Sequence, residues 1–211
     1  MLRNSVKRKP SDDISQRLSK LIRKALQEQE EEQLEPKDLK SAAKAIYRRR
    51  RKTYPPLRKS LAETHWVLLT MNIQTNKFEN FLPINDIKKG VIIFPSQKNL
   101  ECLSVSELFM DGTYKCCPKF FKQLYTIHGL RNGHYVPLVF VLLSGKSECV
   151  YNHYLASLVE LCSNRNITLK PEIIHVDFED AMMKAMRVIF PPAVIKCYRF
   201  HLGVLNICVL N

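Results

Sequence analysis

The sequence contains no run approaching the roughly 18 consecutive apolar residues of a membrane span. Its opening, Met1-Leu2-Arg3, leads into polar sequence without the apolar core of a secretory signal. Together these absences argue against a membrane protein and predict one made and kept in the cytosol or nucleus. The seven cysteines show no repeated CxxC spacing and are odd in number. A chain of this size does not need covalent staples, so they read as mostly reduced thiols. Cys116 and Cys117 are adjacent, which on a strand sends them to opposite faces, so packing rather than joint metal binding is expected of them. With 45% hydrophobic residues in 211, the chain can bury a real core, and one globular domain with an appendage is the natural reading.

Charge is distributed unevenly. Residues 1–60 hold 18 Lys or Arg against 8 Asp or Glu, a net +10 of the total +13, so the remainder is nearly neutral. A basic end on a neutral body suggests a polyanion contact made by the appendage. Within it, Ser11-Asp12-Asp13 starts a predicted helix with the apolar stripe Leu18, Leu21, Ile22, Ala25 and Leu26. Pro36 opens a second, striped by Leu39, Ala42, Ala43, Ile46 and Tyr47 and running into Arg48, Arg49, Arg50, Arg51 and Lys52. That basic block is expected to meet nucleic-acid phosphates or to act as a nuclear-import address. Residues 60–71, with Leu61, His65, Leu68 and Leu69, form a third expected helix. Trp66 reads as an anchor between the helical part and the α/β body. Residues 1–72 are thus expected to be a basic helical region and 73–211 an α/β domain.

From about residue 76 the pattern changes to short β-type runs: Phe78–Ile84, Val91–Pro95, Glu107–Lys115, Phe121–Leu130 and Tyr135–Leu143, with Arg131-Asn132-Gly133-His134 as a hairpin turn. A helix is expected over 148–164, then a strand over 172–177, a helix over 181–190 and a strand over 194–200. Three meandering strands followed by helix, strand, helix, strand is a mixed α/β order of the ribonuclease H-like kind, with the first of those strands central and the fourth beside it.

That placement gives two carboxylates a purpose. Asp111 follows Leu108-Phe109-Met110, and Asp177 follows Ile173-Ile174-His175-Val176. Each ends an apolar run, and strand-borne aspartates meeting across a sheet suit a divalent cation that activates water for phosphodiester cleavage. Turn-forming or capping roles are the plainer alternative. His128 and His134 flank the hairpin and read as turn and packing residues. His175 reads as a core histidine or a contact behind Asp177.

The run from Asp111 to Gly129 (DGTYKCCPKFFKQLYTIHG), with Tyr135-Val136-Pro137-Leu138-Val139-Phe140 and Asp177-Phe178-Glu179-Asp180-Ala181, resembles the MULE (Mutator-like element) transposase domain over roughly residues 75–203. The resemblance implies a ribonuclease H-like catalytic domain of a cut-and-paste DNA transposase with a nuclear location. It implies an Asp-Asp-Glu set binding Mg2+ or Mn2+, with Asp111 matching the first acid and Asp177 the second. It further implies DNA as partner, possible self-association, and no small-molecule substrate. The family's basic N-terminal part is often a zinc finger; here there are basic helices and no finger.

Two departures stand out. The family's Cys-x-x-His appears as Cys197-Tyr198-Arg199-Phe200-His201, one residue longer. On a strand this step moves the pair from opposite faces onto one, and two ligands do not complete a tetrahedral zinc site. After Gly203 the family's polar and aromatic helix is replaced by Val204-Leu205-Asn206-Ile207-Cys208-Val209-Leu210, consistent with a frameshift, a retained intron, a gene-model end or a shortened isoform. The third acid, expected on a helix well downstream, is missing, and Glu179 is not expected to replace it. A truncated, inactive transposon-derived protein is therefore expected. A non-catalytic nucleic-acid-binding module and a functionless transposon remnant are the rival readings.

Overall fold

A computed structural model describes residues 19, 20, 23, 36–53, 56, 58–114 and 117–198. The chain divides into two units, residues 1–57 and 58–211. In the first, α1 (Pro36–Thr53) begins on its proline, which has no N–H to leave unbonded in the first turn. Ala42 and Ile46 are buried, while Arg48, Arg49 and Lys52 are exposed. The helix expected after Ser11 lies almost wholly outside the described residues.

The second unit opens with α2 (Leu61–Thr70). Ser60 accepts from the Glu63 N–H at 3.1 Å, and the Glu63 carboxylate accepts from the Lys59 N–H at 2.8 Å. These bonds satisfy donors that a helix start leaves open. The helix packs through Leu61 and Leu68 on a cluster of Ile92, Phe121 and Leu142. His65 is fully buried between them. Asn85 donates to the His65 carbonyl at 2.8 Å and its Oδ1 meets the His65 Nδ1, so α2 is tied to the sheet. Trp66, the expected anchor, is instead 63% exposed. With positions 61, 65 and 68 turned inward, residue 66 falls on the other side of the helix.

Seven strands form one mixed sheet: β1 (Ile84–Asp86), β2 (Val91–Pro95), β3 (Glu107–Thr113), β4 (Gln123–Arg131), β5 (His134–Leu143), β6 (Ile173–Val176) and β7 (Val194–Cys197), in the order β1-β2-β5-β4-β3-β6-β7. From β1 to β3 the neighbours are antiparallel; β6 and then β7 add in parallel. The fourth strand of the expected series therefore does lie beside the first. Asn132 and Gly133, at φ 51° and 77°, make the β4–β5 turn with both central residues left-handed, as a two-residue hairpin of primed type requires.

The strand expected over Phe78–Ile84 does not form. Phe78 has φ 62° and donates to the Thr75 carbonyl, leaving only a single bridge, Gln74 to Asn80. Pro83 offers no N–H, and regular pairing starts at Ile84. A short helix, α3 (Gln97–Glu101), capped by the Ser96 hydroxyl at 3.1 Å, has no counterpart among the expected elements.

Alternation along the strands separates two faces. On one, Leu108, Met110, Tyr125, Ile127, Ile174 and Val176 pack beneath α4 (Glu148–Ser163) and α5 (Asp180–Ile189). Tyr151, Tyr154 and Leu155 of α4 and Met182, Ala185 and Met186 of α5 are all fully buried there. Removing a side chain of that size from water contributes about 1.5–3 kcal/mol, so this layer dominates the stability of the unit. It also fixes β6, a strand of only four residues, against β3.

Candidate metal and nucleic-acid site

The opposite face of β3, β6 and β7 carries the chemistry. The parallel register sets Glu107 beside Ile173, Leu108 beside Ile174 and Phe109 beside His175. The same offset taken two residues further would put Asp111 level with Asp177, which lies just past the end of β6. Between β6 and β7 it sets His175 beside Lys196 and Val176 beside Cys197, and one step more brings Asp177 beside Tyr198. By this offset Asp111, Asp177 and Tyr198 fall level with one another, the last two just past the ends of β6 and β7. Burial pushes the Tyr198 phenol up, and Asp111 and then Asp177 push it further, against a smaller opposing effect of a hydrogen bond from the Met110 N–H. Both carboxylates are therefore within electrostatic reach of this one phenol.

Asp177 is fixed from behind. The Glu179 N–H donates to the Asp177 carbonyl at 2.7 Å where the chain turns from β6 into α5, and Glu179 is the N-cap of that helix. The buried Gln123 amide donates to the Tyr151 hydroxyl at 2.6 Å, which donates to the Glu179 carboxylate at 2.8 Å. Glu179 is thereby engaged on the α4 side. Gly112, next to Asp111, is closely approached: an added Cβ would lie 3.1 Å from the Tyr125 ring and 3.2 Å from Gln123 Oε1, so these neighbours would have to give by a few tenths of an ångström.

Beside Asp111 lies an open hollow of about 450 Å3 lined by Phe109, Asp111, His128, Tyr135, His175 and Tyr198. The His175 ring stacks on Phe109 at 4.3 Å and 8° and lies 6.2 Å from Tyr198 at 27°. Tyr135 meets Phe109 edge-on at 4.7 Å. His175 Nε2 also pairs with Glu107 at 2.7 Å. His128, expected as a turn and packing residue, faces this hollow, and His175 is a half-buried member of its floor.

The remaining sequence candidates lie elsewhere. Cys197 packs on the α5 side, its thiol 3.5 Å from the Met183 sulfur and pushed up by burial, so it does not join the carboxylate row. His201 lies outside the described residues. Arg48, Arg49, Arg51 and Lys52 fall in the last turns of α1 in the other unit. The five described cysteines are free thiols.

Asp111 lies within β3 and Asp177 directly follows β6, the parallel neighbour of β3, in a mixed α/β domain. Among the described residues no group of three His, Cys, Asp or Glu is set to hold a metal, and no helix is long and apolar enough to cross a membrane. Residues 107–203 match the MULE transposase domain. The match starts at β3, short of the residue 75 suggested by the motifs. No curated protein matches the chain.

Proposed function

We propose that the chain is transposon-derived and that its second unit is the front of a ribonuclease H-like DNA transposase core, with Asp111 and Asp177 as the first two acids. The observation that supports this reading is the offset of β3 and β6, which, extended by two residues, would put the two acids level inside the matched segment. The donor set fits Mg2+ or Mn2+. Both groups are carboxylates, and Mg2+ commonly uses one or two protein carboxylates, keeping water and substrate phosphate oxygens for its other positions. Such an ion would polarise the phosphodiester and lower the pKa of an attacking water. The residues' own part is to hold two negative oxygens on a rigid sheet, backed by the Gln123–Tyr151–Glu179 chain.

Strand cleavage by this chemistry calls for a third carboxylate to complete the positioning, and the described residues do not bring one to the pair. These two acids alone are expected to bind metal and DNA and to turn over poorly, since electrostatic positioning supplies most of the rate. The test is DNA binding and nicking of transposon-end duplex with and without Mg2+ or Mn2+. Metal should tighten binding by the unaltered protein and not by Asp111→Asn with Asp177→Asn. Metal-indifferent binding would remove the reading. Robust nicking abolished by Asp111→Asn would show that two acids suffice.

A second reading is favoured by the exposed Arg48, Arg49 and Lys52. Here the basic helix makes a non-catalytic nucleic-acid contact, and a nuclear location follows from the same block. It predicts salt-dependent affinity that survives loss of both aspartates and falls when Arg48 to Arg51 are neutralised, each lost phosphate contact lowering the salt slope by about 0.9.

A further inference from the structure

Resting on the carboxylate reading above, we infer that the hollow walled by Phe109, His128, Tyr135, His175 and Tyr198 is a subsite for an unpaired nucleobase. The base would belong to the strand whose phosphate lies at Asp111 and Asp177. Five of the six lining residues are aromatic or imidazole rings, and the sixth is Asp111 itself. Phe109 and His175 stand two residues back along β3 and β6 from the two acids, about 6.6 Å along the sheet. A nucleotide anchored by its phosphate at the carboxylate row can therefore lay its base over that floor.

The rings are preset. His175 is stacked on Phe109 and held by Glu107, and Phe109 is braced edge-on by Tyr135. Tyr135 is 63% exposed although it lines the hollow, so part of its ring is open to a further planar group. Lys196 is exposed and sits beside His175 in the β6–β7 register, which offers a cation to the strand's backbone. Aromatic surface beside a cation is how unpaired strands are held without sequence reading, because every base has a π-face. Neither apolar peptide nor a small polar ligand accounts as well for stacked rings next to two acids.

The test compares binding of an oligothymidylate with that of an abasic oligomer of equal length and charge, using the full chain in metal-free buffer with EDTA. Contacts to phosphates, including those of Arg48 to Lys52, are common to both probes and cancel. The base-bearing probe should bind about tenfold tighter. That preference should collapse in Tyr135→Ala and persist in Tyr135→Phe, and circular dichroism of this exposed-site variant should be unchanged. Equal binding of the two probes, or a preference undiminished in Tyr135→Ala, would overturn the inference. Because EDTA removes the cation, this preference is read without any contribution from metal. A chain with the base preference but no metal response therefore fails the carboxylate reading alone.

Discussion

Replacing Tyr151 by Phe removes one oxygen and tests whether the turn carrying Asp177 is held from beneath. In the native unit that hydroxyl accepts from the fully buried Gln123 amide and donates to Glu179. Gln123 Oε1 already has no hydrogen-bond partner among the described residues, so the substitution leaves the whole amide unsatisfied. A buried donor stripped of its acceptor costs about 1–3 kcal/mol. Glu179 is half-buried and regains water, so its share is small. The expected loss is about 2 kcal/mol, equivalent to about 4–8 °C in Tm for a unit of this size. Thermal and urea unfolding of Tyr151→Phe measure it directly. Adding Gln123→Leu removes both unsatisfied amide groups at similar volume, so the double variant should recover much of the loss. A Tm within 1 °C of the parent, or a double variant no more stable than Tyr151→Phe, would refute the claim that this chain of bonds supports the fold.

Burial raises the Asp86 carboxyl, but the Lys89 N–H, the His153 imidazole at 2.8 Å and the Lys88 N–H together bring it below its ordinary value of 3.8. A folded value below the unfolded one contributes stability above that pH which is lost as pH falls through the folded value. Asp86→Asn should therefore flatten the acid limb of a stability profile below about pH 4, and an unchanged limb would contradict it. Gly90 has φ +63°, and an added Cβ would lie 2.0 Å from Ser144 Oγ; Gly90→Ala should cost about 1–3 kcal/mol by urea unfolding. Burial, only partly opposed by Arg165, pushes the Cys162 thiol up to about 11, whereas Cys149 is exposed. Peptide mapping after brief alkylation of the native protein at pH 8 should find Cys149 labelled and Cys162 protected.

Much of the fold was legible because its strands follow strong local rules. Val91–Pro95 is uniformly apolar, and Asn132-Gly133 marks a hairpin on its own. The run Phe78–Ile84 misleads because apolar composition alone does not reveal that Phe78 closes a turn and that Pro83 cannot donate to a ladder. The two acids are readable from the apolar runs they follow, whereas whether they come level depends on an offset between segments 66 residues apart, which no local pattern encodes. Phe109, Tyr135 and Tyr198 look like ordinary sheet residues in the sequence. Their signal is present in β3, where Leu108 and Met110 alternate with Phe109 and Asp111, so an inward reading of the first pair turns the second pair outward together. Trp66 needs a helix phase to be placed: Leu61, His65 and Leu68 define the buried side and leave it out.

The parallel register has a consequence for how the protein is made. Residues up to Leu143 can zip into hairpins as they emerge, since β2, β4, β5 and β3 meet through antiparallel pairings. Asp111 gains its acidic neighbour only after α4 has crossed over and β6 has docked. Such distant closures are slow compared with hairpins. The parallel part of the sheet is thus deferred to the last stage of assembly, and a half-synthesised chain carries its antiparallel part alone.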